Sequence, residues 1–179
     1  KKEHQAFADA FRSAGVKVVY LVDLVKEALD TSKEVKNEFI NEFVEESNIT
    51  SETLHEIVLK YLLSIEDTKT LILKTMSGIK RTEIPTYKKR TLTDYVGDHP
   101  FVTYPIPNLY FTRDPFAVIG SGVSLNKMYS ETRRRETIYG KYIFKYHPIY
   151  KGTTLFYDRT YKVNIEGGDI MVLNKETYL

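Results

Sequence analysis

The chain has 179 residues, 42% hydrophobic and 28% charged, with a formal net charge of +2, which is room for one ordinary soluble domain and excludes fibrous and disordered classes. No stretch reaches the roughly 18 to 20 continuous apolar residues of a membrane span, and the opening KKEHQAFADAF has no signal-peptide apolar core, so a cytoplasmic setting without membrane contact is expected. Zero cysteines exclude a disulfide framework, a cysteine-based zinc site and a thiol nucleophile from these residues.

The sequence lacks an initiator methionine and starts inside a helical pattern, so it is expected to be a piece of something longer. From Glu3 to Ala14, apolar Ala6, Phe7, Ala10, Phe11 and Ala14 recur at helical spacing, and Gly15 follows as a left-handed stop. VKVVYLVDLV, rich in β-branched residues, predicts a buried strand and with the helix half of an α/β unit. Between Thr31 and Ser77 three apolar stripes follow: Phe39, Ile40, Phe43 and Val44; then Leu54, Ile57, Val58, Tyr61 and Leu62; then Leu71, Ile72 and Met76. With Thr50 to Thr53 and Asp67-Thr68 as N-cap candidates, they predict a small bundle of short helices.

The polar stretch between Gly78 and Pro107 reads as a long loop, and its basic cluster of Lys80, Arg81, Lys88, Lys89 and Arg90 as solvated. No nucleic-acid motif accompanies that cluster, and no nucleic-acid partner is expected. PFAVIGSGVSL then predicts a hairpin turned at Gly120-Ser121-Gly122, Thr132 to Phe144 a helix ended by His147-Pro148, and YKVNIEGGDIMVL a closing hairpin.

Three constellations are too polar for their apolar settings. In PNLYFTRDPF, Asn108, Arg113 and Asp114 stand among aromatics and must pair with one another or meet a ligand; an Arg113–Asp114 salt bridge is the plain explanation. In TRRRET, Arg133, Arg134 and Arg135 crowd a helix start, where arginines suit either an anionic ligand or a solvated face. In IEGGD, the carboxylates Glu166 and Asp169 flank Gly167-Gly168, whose turn could bring both acids to one rim. Such a pair suits a metal or a cation with several N–H donors, and the scattered His4, His55, His99 and His147 favour the cation. Acids for a cation and an arginine for an anion fit an amino acid with a basic side chain.

PNLYFTRDPFA, GSGVSLNKM, TRRRET, HPIY, YDR and IEGGDIMVLN, in this order, resemble the arginine deiminase family, as do KKEHQAF and VKVVYLVDLV upstream. The resemblance implies hydrolysis of L-arginine to L-citrulline and ammonia on an α/β pentein fold, a five-bladed propeller of ββαβ units with an inserted helical bundle. Residues 1–30 would then be part of the propeller, 31–77 the bundle, 78–104 a long loop, and 105–179 the propeller modules carrying the site. Asp114 and Glu166 would hold the guanidinium and Arg133 the α-carboxylate, with Asn108 and Phe111 lining the pocket and Asp169 behind them. No metal or organic cofactor is implied.

The family's cysteine nucleophile and its proton-moving histidine have no counterpart in this chain, which resembles an N-terminal half and alone is expected to be inactive. A homo-oligomer or a complementing C-terminal half is the expected protein partner. The alternative is a truncated, inactive deiminase-like protein that binds arginine or a partner.

Overall fold

A computed structural model describes residues 2–84, 99–174 and 177–179. Among them, helices α1 (Lys2–Ser13), α2 (Leu21–Leu29), α3 (Lys33–Glu45), α4 (Glu52–Leu63), α5 (Thr68–Ser77) and α6 (Ile138–Tyr146) combine with two small sheets in a mixed α/β fold. Strands β1 (Ile79–Lys80) and β2 (Phe101–Thr103) pair antiparallel. The other sheet runs in the order β3 (Phe116–Ile119), β4 (Gly122–Leu125), β5 (Thr154–Tyr157), with β3–β4 antiparallel and β4–β5 parallel. No helix among the described residues is long and apolar enough to cross a membrane.

Side-chain caps start three of the helices: Ser32, Ser51 and Asp67 accept the backbone N–H of Val35, Leu54 and Thr70 respectively. Helix α1 ends as its sequence requires, with Gly15 at φ 79° just beyond it. The apolar stripes of α3, α4 and α5 face inward and join α2 and α6 in one core. At its centre Phe39 meets Tyr142 edge-on at 5.2 Å between ring centroids and Tyr139 at 5.8 Å.

Several sequence expectations are corrected. VKVVYLVDLV is not a strand: residues 16–20 belong to no regular element, and Leu21–Leu29 is helix α2. The end of that run and the four residues after it place Leu21, Val25, Ala28 and Leu29 on one helical face, and burial against the core selects that face over β-propensity. The stretch read as a loop contains β1 and β2; the part of it over 85–98, with Lys88, Lys89 and Arg90, lies outside the described residues. The hairpin at Gly120-Ser121 forms as expected. The helix expected from Thr132 begins instead as a 3-10 segment, Glu131–Thr137, and becomes α-helical at Ile138. The closing hairpin is replaced by a 3-10 turn, Gly167–Asp169, flanked by single bridges from Ile165 to Lys127 and from Val172 to Tyr178.

Polar clamps tie α6 and the residues after β5 to α3. Glu42 accepts from Lys141 at 2.6 Å and from the Tyr142 hydroxyl at 2.9 Å, while Arg159 reaches Glu42 at 3.4 Å and Glu46 at 2.5 Å. Glu38 accepts from Tyr146 and Lys145. Burial alone would raise the Glu38 pKa, but those two hydrogen bonds outweigh it and hold the carboxyl below its ordinary 4.5. A lowered folded value means that the clamp stabilises the fold above the ordinary carboxylate pKa and fades as pH falls through the lowered one. Thermal melts from about pH 6 to about pH 3 should therefore show Glu38→Gln melting below the unaltered chain at the upper end and the two converging at the lower.

Candidate functional site

Asp114 lies in the turn that leads into β3, and its backbone is held from beneath. The fully buried Asn126 donates through Nδ2 to the Asp114 carbonyl at 2.8 Å and through its own N–H to the Pro115 carbonyl at 3.1 Å; its Oδ1 accepts the Ser124 hydroxyl at 2.6 Å. A buried amide bonded through both its nitrogen and its oxygen sets the backbone course with little freedom.

Glu166 is positioned by a different device. The Ile165 N–H donates to the Lys127 carbonyl at 3.0 Å, and the following turn closes on itself: the Glu166 N–H donates to Asp169 Oδ2 at 2.9 Å, and the Asp169 N–H to the Glu166 carbonyl at 3.0 Å. Gly167 then permits a backbone approach that no other residue would, because a Cβ there would lie 2.4 Å from the Arg113 carbonyl oxygen and 2.6 Å from its carbon. The glycine between two acids thus seats the turn carrying Glu166 directly against the residue before Asp114.

Arg133, from the 3-10 segment, joins the two acids. Its Nη2 reaches Asp114 Oδ2 at 2.9 Å and its Nη1 reaches Glu166 Oε2 at 3.3 Å, while Glu136 takes Nε and Nη2 in bidentate fashion, each at 2.9 Å. The other Glu166 oxygen accepts the Tyr129 N–H at 3.0 Å. The hydrogen bonds that Arg133 donates to Glu136, and secondarily to Asp114, push its pKa up against the effect of burial. Burial pushes the Glu136 carboxyl up, Arg133 opposes this, and the neighbouring Asp114 and Glu166 charges reinforce it. Three carboxylates on one guanidinium leave two formal negative charges in excess (three minus one) when all are ionised.

The plain Arg113–Asp114 pairing is thereby corrected. Arg113 donates instead to the Ile170 carbonyl, and its backbone lies against Gly167. The arginines of TRRRET also separate: Arg134 stays near Glu131 at 3.6 Å, and Arg135 is buried, donating to Ser47 at 3.2 Å and the Tyr104 carbonyl at 3.1 Å above the Phe43 ring. Asn108 lies on the 3-10 turn Pro107–Tyr110, which packs against the segment bearing Arg133, and Phe111 stacks on Tyr110 with its side chain exposed. Among the described residues, neither side chain bonds to the Arg133 cluster. Asp169 acts here through the turn it caps. Glu136, Asn126 and the Tyr129 N–H are missing from the sequence-based site, although Glu136 stands three residues after Arg133 in the same motif.

The arginine deiminase family profile matches residues 1–179. The chain belongs to the arginine deiminase family. It is 52% identical to an arginine deiminase of Streptococcus uberis over 98% of its own length and 44% of that protein. Against an arginine deiminase of Clostridium perfringens the identity is 47%, over 98% of the chain and 43% of the relative; against one of Streptococcus agalactiae it is 51%, over 98% and 44%. The chain thus spans less than half the length of the curated relatives it matches.

Proposed function

We propose that the chain supplies the arginine-gripping part of an arginine deiminase, a cytoplasmic hydrolase converting L-arginine and water to L-citrulline and ammonia. The convergence of Asp114, Glu166 and Arg133 on one another carries this reading. Asp114 and Glu166 hold the substrate guanidinium, keeping its charge and plane oriented for attack at the central carbon, and Arg133 pairs with the α-carboxylate. Asn108 and Phe111 line the pocket, and Asp169 supports Glu166. The mixed α/β fold is read as part of a pentein propeller, with the helices of residues 31–77 as its inserted bundle.

The attacking thiolate belongs to the portion of the relatives that the chain does not match, since these 179 residues contain no cysteine, and by the family resemblance the proton-moving histidine is assigned to the same portion. Exposed Val118, Val163, Met171 and Leu173 support a covering partner, which we take to be that complementing portion. The chain alone should release no citrulline, whereas the same residues joined to the unmatched portion of the Streptococcus uberis relative should release it. Citrulline from the chain alone would overturn the cysteine route. The lack of cysteine also favours a second reading, a non-catalytic arginine-binding protein, for which the joined form would bind L-arginine without turnover.

Calorimetric titration tests the ligand assignment directly. L-Arginine should bind more tightly than n-butylguanidine, which has the guanidinium and no carboxylate. Arg133→Ala should reduce that preference by about tenfold or more, the scale of a lost charged hydrogen bond. An unchanged preference would remove Arg133 from the carboxylate.

A further inference from the structure

A guanidinium has two edges that can grip a carboxylate: the side edge of Nε and one terminal nitrogen, and the end edge of both terminal nitrogens. Arg133 uses them differently. Its side edge is taken whole by Glu136, with Nε on Oε1 and Nη2 on Oε2 at 2.9 Å each. Its end edge is divided, Nη2 going to Asp114 at 2.9 Å and Nη1 to Glu166 at a longer 3.3 Å. Glu136 is only 2% exposed and lies three residues along the same 3-10 segment, whereas Asp114 and Glu166 arrive from separate turns and are each about a quarter exposed, at 28% and 26% of their side chains.

We propose that Glu136 is a positioning residue that holds Arg133 by its side edge while the end edge is exchanged. In this structure the Arg133 guanidinium bonds to the same two carboxylates that the proposed substrate guanidinium needs. An amino acid carrying both a carboxylate and a guanidinium replaces both partners at once: its carboxylate takes the end edge of Arg133, and its guanidinium takes Asp114 and Glu166. In the exchange the ligand's guanidinium and carboxylate each gain an opposite partner without a proton transfer, and the α-ammonium of L-arginine takes no part in it. A ligand with the guanidinium alone would free Arg133 from two carboxylates and return nothing to it. The site thereby selects zwitterionic guanidines over simple ones, and Glu136 sets that selection without touching the ligand.

Because this inference rests on the arginine-binding assignment, the test has two arms. The chain and its Glu136→Gln variant are titrated with L-arginine and with n-butylguanidine, and the Arg133 Nε–H exchange rate is followed by nitrogen-15 NMR. Glu136→Gln should weaken L-arginine about tenfold or more and leave n-butylguanidine within about twofold, whereas a merely structural defect would weaken both alike. The Nε–H should exchange slowly in the unaltered chain, with or without L-arginine, and rapidly in the variant. If Glu136→Gln does not fold, Arg133→Lys keeps the charge without the two-point grip and should show the same selective loss of L-arginine. Equal weakening of both ligands, an unchanged L-arginine affinity, or an Nε–H that stays slow in Glu136→Gln would overturn the positioning role. If the unaltered chain binds neither ligand, the arginine assignment fails instead, and the exchange rate still reports on the grip by itself.

Discussion

Replacing Gly167 by alanine should separate Asp114 from Glu166 and abolish detectable L-arginine binding, while Gly168→Ala should change little. The contrast rests on geometry, since the two glycines are adjacent and chemically identical. A Cβ on Gly167 would stand 2.4 Å from a backbone oxygen and 2.6 Å from a backbone carbon of Arg113, neither of which can turn aside as a flexible side chain would. Either the turn of Gly167–Asp169 or the strand-ward backbone at Arg113 must retreat, and each carries one of the two acids. Overpacking of this kind destabilises by about 1–3 kcal/mol, and the displacement falls on a cluster whose bonds span only 2.9 to 3.3 Å. Nothing lies within 4 Å of a Cβ built on Gly168, so its alanine variant should stay within about 0.5 kcal/mol of the unaltered chain and keep its affinity. Paired melts and titrations of the two variants measure both effects. Full binding by Gly167→Ala would mean that the seat on Arg113 does not set the distance between the acids.

What could be read from the sequence followed from how local each determinant is. Helices α3, α4 and α5 were legible from their apolar stripes, and α4 and α5 also from their caps, because these signals are contained within a turn or two of chain. The hairpin of β3 and β4 was legible for the same reason. Leu21–Leu29 was not, because a dense run of Val and Leu satisfies helical and strand spacing together, and only its neighbours in the core distinguish them. At the site, the polar groups of PNLYFTRDPF, TRRRET and IEGGD stood out from their apolar settings, but only the family resemblance singled out Asp114, Arg133 and Glu166 among them, and their partners could not be read. Asp114 lies beside Arg113 in the chain yet pairs with Arg133, 19 residues away, and Glu166 meets the same guanidinium from 33 residues away. Glu136 stayed hidden because a glutamate three positions after an arginine looks like an ordinary exposed helical pair until burial singles it out.

Phe39→Ala is expected to produce the largest loss of stability, about 3–5 kcal/mol, because a fully buried aromatic ring is replaced by a methyl group in a core that cannot refill the space. For a chain of this size that loss corresponds to roughly 6–20 °C in Tm. The ring stacks near Phe43 at 6.3 Å and packs on Tyr142 and Tyr139 at 5.2 and 5.8 Å, so the cavity opens between α3 and α6. Tyr139 has a further constraint, its hydroxyl donating to the buried Thr75 at 3.1 Å, and it cannot tilt into the cavity without leaving that oxygen unpaired. Collapse is therefore restricted on the α6 side, which places the cost toward the upper end of the range. The consequence reaches the site through the chain itself, since α6 begins at Ile138, two residues after Glu136, and its packing holds the 3-10 segment that presents Arg133. Phe39→Leu, which keeps most of the apolar volume, should recover more than half of the lost stability and serves as the control. If L-arginine affinity measured well below Tm stays unchanged in Phe39→Ala while stability falls, the core fixes the fold but leaves the Arg133 geometry to Glu136, Asp114 and Glu166 alone.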